Sequence, residues 1–461
     1  MRGPQSRDAA TRLQRYFPGA CLVLAYLIFA TLYLFGDRAA YVAILTQMGV
    51  TPHYFPFLDA HGVLATAECH RYGIDVISVN PCDILGRRLN YSPFWLLTAK
   101  LGLTTQATPI LGLLLNTAFL ACVFFLPRAH SWRESLVITA ALLSGMVAFA
   151  LERANLDLAF FVIAVAGSAM VARGRLARSC GYGLIGLAAL VKYYPGAMLV
   201  LTLRERPKVF SLLMISALAT AACLVIYDAD DVFRTLSLIQ NREWFTIAFG
   251  ARNLPIGLAS LLSGRLPDAV WPAAVELGLA FIATAGAVVI AKTENLREGL
   301  KSLPERSRTM LLAGCALIVG CFFSAANGPY RGIYFLLVLP GVAALCRMEC
   351  GRAARQRFIL VTASVLFLMW NDCLYRTMME VQHWLAVTPL QSSIAQLVFW
   401  CLREVIWWWV VTILLAFLIC LATLSETGKQ IVGILTSQRG LAARFASRPQ
   451  QSPASARHPG S

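Results

Sequence analysis

Charge is scarce in this chain. Only 14% of its 461 residues are Asp, Glu, Lys or Arg, and there are six histidines. There is no Walker A loop, no G-x-G-x-x-G after a strand, no H-E-x-x-H, no C-x-x-C and no serine-nucleophile motif. These absences weigh against an ATP-driven pump, a redox enzyme and a zinc protease. Also missing is the apolar/polar alternation in ~10-residue segments that a transmembrane barrel requires. Apolar sequence fills the space instead: 58% of residues are hydrophobic and the mean hydropathy is +0.64. Runs long enough to cross a bilayer recur along the whole chain. This composition fits an all-α polytopic membrane protein.

The first run, residues 20–36, follows Arg2, Arg7, Arg12 and Arg15. It is too long for the apolar core of a signal peptide and lacks an A-x-A site, so it reads as a retained span after a short segment, 1–18. Further spans are expected near 107–126, 135–151, 156–172, 209–227, 270–291, 309–325, 332–346, 358–373 and 403–424. One segment breaks the pattern. "SCGYGLIGLAALVKYYPGAMLVLTL" (179–203) lies between two basic turns, so it must cross an even number of times. It is too short for two full spans of ~20 residues each. Pro195 removes a helix hydrogen bond, so two half-helices are expected to meet at Lys192, its side chain directed into a cavity. The expected fold is therefore about ten full spans plus a broken half-helix pair. Residues 19–346 form the main module, 347–424 the last spans, and 425–461 a Ser/Pro/Arg-rich tail that reads as disordered.

Charge placement gives an orientation. The turns near 173–178, 204–208, 292–308 and 347–357 are rich in Lys and Arg, which puts them and both termini in the cytoplasm. Segments assigned to that side carry 26 Lys/Arg and 8 Asp/Glu; the rest of the chain carries 14 and 16. The split of +18 against −2 accounts for the net +16 by topology, so no nucleic-acid partner is required. A plasma (inner) membrane location follows, with residues 37–106, 152–157, Lys192, 228–269 and 325–331 on the extracytoplasmic face. Cys69 and Cys82 fall in the first large outer loop, where a disulfide and two free thiols are both open.

The polar residues on that face are the chemical candidates. "FALERANLDLAFF" (149–161) places Glu152, Arg153, Asn155 and Asp157 in a seam between two spans. The loop 54–95 carries Asp59 before a helix-like stretch (60–72), then Asp75, Asp83, Arg87, Arg88 and Tyr91. Asp59 reads either as a helix N-cap or as a catalytic carboxylate. Asp75 and Asp83 lie among turn residues. "DADD" (228–231) reads as a solvated loop start. Lys192 and Arg331 each suit a phosphate or a lipid headgroup. The scattered carboxylates give no metal cage, and no cofactor is expected.

Taken together, "FLDAHG", "ERANLD" and "GLAALVKYYPGAMLV" resemble the GT-C superfamily of membrane glycosyltransferases, and especially the polyprenol-phosphate-mannose-dependent mannosyltransferases (glycosyltransferase family 87). That family has an E-R-x-N-x-D-like seam, a K-x-Y-P-like break and a Y-R-like outer end of a late span. They match Glu152-Arg153-Asn155-Asp157, Lys192-Tyr194-Pro195 and Tyr330-Arg331 here, and the likeness covers about 37–346. The resemblance implies a GT-C-like fold. It also implies transfer of a sugar from a polyprenyl-phosphate donor to a lipid or glycan acceptor, with Asp59 as general base and Lys192, Arg331, Arg153 and Tyr194 at the donor phosphate. Membrane lipids would then surround the site. A transporter or scramblase of lipid-linked sugars is the competing class; it too would use a polar cavity with broken helices.

Overall fold

The computed structural model describes residues 4–239, 248–261, 271–324, 327–347, 352–431 and 433. These residues are almost entirely helical and form no strand; an isolated antiparallel bridge joins Phe249 to Asn327. Helices α1 (Pro4–Phe35) and α2 (Arg38–Gln47) precede the long loop, which contains α3 (Leu58–Arg71). A 3-10 stretch, Pro93–Leu101, leads back to α4 (Thr108–Val123). Next come α5 (Trp132–Leu142), α6 (Gly145–Arg153), α7 (Asp157–Val171) and α8 (Arg175–Val191). The remainder are α9 (Pro207–Tyr227), α10 (Ala229–Ile239), α11 (Asn253–Leu261), α12 (Trp271–Ala291), α13 (Glu294–Ser302), α14 (Glu305–Ser324), α15 (Phe335–Arg347), α16 (Arg352–Trp384) and α17 (Pro389–Leu424).

Among the described residues, eight helical segments are long and apolar enough to cross a membrane. The bent pair α5–α6, with 46° between its halves, makes a ninth if taken as one span. Helix α7, expected as a full span, has 15 residues and reaches only about 22 Å, short of the ~30 Å hydrocarbon core. Helix α15, and α14 beyond its charged first turn, are apolar on every side and sit in the middle of the core, as a helix without a polar face must. At the periphery, α9 is just as apolar yet has no buried residue. Such a surface needs lipid rather than water around it. Gly181 on α8 faces the Gly167 carbonyl of α7 so closely that a Cβ would come within 2.8 Å of it, the small-residue contact typical of membrane helix pairs.

The break in 179–203 falls at the expected place. Helix α8 stops at Val191, and Lys192 is extended (φ −146°, ψ 130°). The second half, Tyr194–Arg204, is a 3-10 helix rather than an α-helix; Pro195 has no N–H to donate at its start. The last two helices are longer than expected. α16 has 33 residues and α17 has 36, so each is about 50 Å long. Hydropathy fades near "NDCLYRTMMEVQ" while the helix continues. Thr388 then caps α17 with a reciprocal Thr388–Gln391 box, and Pro389 occupies its first turn. Helix α1 is continuous from Pro4 through the apolar run, whose membrane-length part is Leu13–Phe35. In the expected tail, 426–431 is helical; residues 434–461 lie outside those described, as do 240–247, 262–270, Ala325 and Ala326.

Candidate functional site

The polar seam between α6 and α7 is a tight turn. Ala154 closes α6 in the left-handed region (φ 43°). The Asn155 N–H reaches back to the Ala150 carbonyl at 3.0 Å and the Ala154 N–H to that of Leu151 at 3.1 Å, a helix-terminating pair. Asn155 Oδ1 then accepts the Asp157 N–H at 2.9 Å, starting α7. Asp157 thus stands in the first turn, where the helix end favours negative charge.

Asp157 is completely buried and organises what lies beneath the seam. Lys192 Nζ and the Tyr194 hydroxyl each donate to its Oδ1 at 2.6 Å. Arg331 Nε lies 3.3 Å from its Oδ2. The Tyr194 and Tyr334 hydroxyls bond to each other. Two cations share one carboxylate, so the cluster has one surplus positive charge. Aromatic faces bear on that charge: Lys192 lies 5.0 Å from the Tyr91 ring centre and Arg331 lies 4.8 Å from that of Tyr194. Lys192 is therefore buried on a counter-ion and does not project into open cavity space, as its place at a helix break had led us to expect. The Arg331 side chain is 15% exposed against 6% for Lys192, and so is the more accessible cation.

Asp59 is delivered to the same place from the long loop. Phe57, at φ 70°, turns the chain into α3. Its N–H donates to the Glu152 carbonyl at 2.7 Å, and its ring fills the space left by Gly112 on α4. A left-handed non-glycine residue costs about 1 kcal/mol or more, and these two anchors hold it. Asp59 is in the first turn of α3 and makes no N-cap bond. Instead its Oδ1 accepts Arg87 Nη1 at 2.7 Å and its Oδ2 accepts Asn155 Nδ2 at 2.6 Å. Its side chain remains 16% exposed.

Arg87 is itself clamped. Asp83 accepts its Nε at 2.8 Å, its Nη2 at 3.0 Å and its backbone N–H at 2.9 Å; the Leu58 carbonyl also accepts Nη2, at 2.7 Å. Gly62 leaves room for the guanidinium, since a Cβ there would collide with it. Burial pushes the Asp83 carboxyl upward, but the hydrogen bonds and charge of Arg87 outweigh it and hold the group below the ordinary carboxylate range. A disulfide joins Cys69, in the last turn of α3, to Cys82, the residue before Asp83, across 5.8 Å between Cα atoms, and so ties the Asp83 turn to that helix.

Of the residues singled out by sequence, Asp59, Asp83, Arg87, Tyr91, Asn155, Asp157, Lys192, Tyr194 and Arg331 converge. Glu152 and Arg153 pair with each other at 3.1 Å, and Arg153 Nη2 donates to the Thr51 carbonyl at 2.9 Å; they brace the approach to the seam. Asp75 does not join the cluster. It binds Arg234, whose Nη1 also reaches Asp231 at 2.9 Å, and that bond to Arg234 holds Asp75 below the usual carboxylate range. Arg88 is exposed and unpaired among the described residues. No group of three or more His, Cys, Asp or Glu among these residues is placed to hold a metal ion. Tyr334 was not foreseen, although it falls three residues after Arg331.

Beside the cluster lies an apolar cavity of about 710 Å³ among α1, α2, α4 and the α5–α6 pair. Phe57 and His61, on either side of Asp59 in sequence, line its polar end with Glu152; Leu22, Phe29 and Val147 line the apolar part. Burial holds the His61 imidazole below its ordinary pKa. No protein-family model, curated protein or solved structure matches the chain.

Proposed function

We propose that this protein is a membrane glycosyltransferase of GT-C type that moves a sugar, mannose or a similar hexose or pentose, from a polyprenyl-phosphate donor to an envelope lipid or glycan acceptor. In this reading the basic turns face the cytoplasm, both termini lie there, and the Asp59 cluster faces outward from the plasma membrane. The observation that carries it is the juxtaposition of a partly exposed carboxylate, a cationic centre and an apolar cavity. Nucleotide sugars are absent outside the cell, so an outward-facing transferase needs a lipid-phosphate donor. The cavity bordered by Phe57, His61 and Glu152 offers an apolar wall for the prenyl chain. Arg331, with Lys192 behind it, offers positive charge to the phosphate. Arg153 and Tyr194 support that end, as do Glu152 and Asn155.

The chemistry follows from those roles. The acceptor oxygen attacks the anomeric carbon, the bond from that carbon to the phosphate oxygen breaks, and the acceptor proton passes to Asp59. A carboxylate has about four acceptor positions; Arg87 and Asn155 occupy two and leave capacity for the acceptor hydroxyl. Charge developing on the leaving phosphate is stabilised by a pre-placed cation, a contribution commonly worth several kcal/mol. A single displacement inverts the anomeric centre.

Purified protein supplied with a radiolabelled polyprenyl-phosphate sugar and a panel of envelope lipids tests the reading. Labelled product with inverted linkage is expected. Label that equilibrates across vesicles without product would identify a transporter instead.

A further inference from the structure

At the end of the bundle opposite Asp59, helices α5, α15 and α16 enclose a groove of about 1500 Å³. Its rim carries Arg133 at the start of α5, Arg347 at the end of α15, and Arg352 and Arg355 in the first turn of α16. Among the described residues that line it there is one carboxylate, Glu134, and it is already engaged. Glu134 pairs with Arg347 and accepts the His130 N–H at 2.7 Å. Arg133, Arg352 and Arg355 have no ion-pair partner among the described residues, so the described lining has a surplus of three positive charges. Below it the wall turns apolar, with Val137, Ile359, Ala363 and Leu366, and Trp132 stands at the mouth.

Each half of this surface makes a separate demand. A free phosphate would satisfy the guanidiniums and leave the apolar wall bare. A zwitterionic lipid would cover the wall, but its own cation would oppose the arginines. We propose that the groove binds an anionic glycerophospholipid, its phosphate on Arg133, Arg352 and Arg355 and an acyl chain along Val137, Ile359 and Leu366. Arginine forks suit phosphate oxygens in pairs, and basic pockets between membrane helices recognise such headgroups. The groove shares no residue with the Asp59 cluster, so this inference stands or falls independently of the transferase reading.

Native mass spectrometry of the full chain in a nonionic detergent, with added phosphatidylglycerol or phosphatidylcholine, tests it. Wild type should retain phosphatidylglycerol at energies that strip phosphatidylcholine. The triple variant R133Q/R352Q/R355Q should retain at least about tenfold less, and the charge-conserving R133K/R352K/R355K should keep most of the binding. Excess inorganic phosphate should not displace the lipid. Equal retention of the two lipids, retention unchanged in a folded Gln variant, or displacement by inorganic phosphate would each overturn the proposal. The comparison of lipids on wild type decides the matter even if the Gln variant fails to fold.

Discussion

Asn155 donates a 2.6 Å hydrogen bond from Nδ2 to Asp59 Oδ2 across 96 residues of sequence, while its Oδ1 holds the Asp157 N–H. One amide thus fixes the distance between the exposed carboxylate and the buried cationic centre. Asn155→Ala should keep the protein folded and lower kcat by about tenfold to a hundredfold with little change in KM, the scale on which misplacing a catalytic group is felt. Steady-state kinetics on the purified variant check this. A change confined to KM would make Asn155 a binding residue.

Asp59→Asn keeps size and can keep one of the two accepted hydrogen bonds, but it cannot take a proton. Transfer should fall by about a hundredfold or more while donor still binds. The control is Asp75→Asn, because Asp75 is tied to Arg234 away from the cluster; its turnover should match wild type. If Asp59→Asn turns over normally, the base lies elsewhere, and Glu152 is the next carboxylate to test.

Arg331→Lys conserves charge but loses the planar fork. We expect turnover to drop by about tenfold or more, read in the same assay, with an unchanged thermal midpoint. Preserved activity would reduce Arg331 to a point charge.

Asp157→Asn should be a folding defect. It leaves Lys192 and Arg331 buried beside each other without a counter-ion, and breaking such a cluster costs about 3–5 kcal/mol. Lys192→Met leaves the Asp157–Arg331 pair and should cost less. Thermal unfolding in detergent ranks the two; equal losses would mean that Lys192, not Arg331, neutralises Asp157.

The Asp83 carboxyl, held low by Arg87, makes a pH prediction with a definite sign. A group depressed in the folded state stabilises above its unfolded value, about 3.9, and that contribution is lost as pH falls through the folded value. Loop 54–95 should resist proteolysis near neutrality and become sensitive below about pH 4. Asp83→Asn should flatten that dependence and leave the loop sensitive throughout. An acid-active protease with fragment mapping measures both.

Much of the site could be read from sequence because polar residues within apolar runs are costly and therefore conspicuous. The seam, the Lys192 break and Arg331 stood out for that reason. Which of them pair was not legible, because Asp157 meets Lys192 across 35 residues and meets Arg331 only after α8 to α14 have packed. The Asp83–Arg87 spacing imitates a helical pair, yet both residues lie outside any helix, so pattern alone could not identify a clamp on Asp59. Helices α16 and α17 outran their apolar windows because capping and helix propensity extended them where hydropathy had faded.

The pairing of Asp157 with Lys192 also orders the birth of the molecule. Helices α7 and α8 are adjacent, so the hairpin leaving the ribosome already contains a cation and its counter-ion at the same depth. It can enter the bilayer with Asp157 and Lys192 already neutralising each other at its open end, sparing the ~2.5–3.5 kcal/mol that insertion scales assign to a lone central charge. Arg331 emerges only after α9 to α14 have been made, and it meets a carboxylate that is already neutralised. The surplus charge at the candidate donor site is therefore the last part to be installed. A nascent chain arrested before Arg331 should hold the Asp157–Lys192 pair and no anion-binding centre.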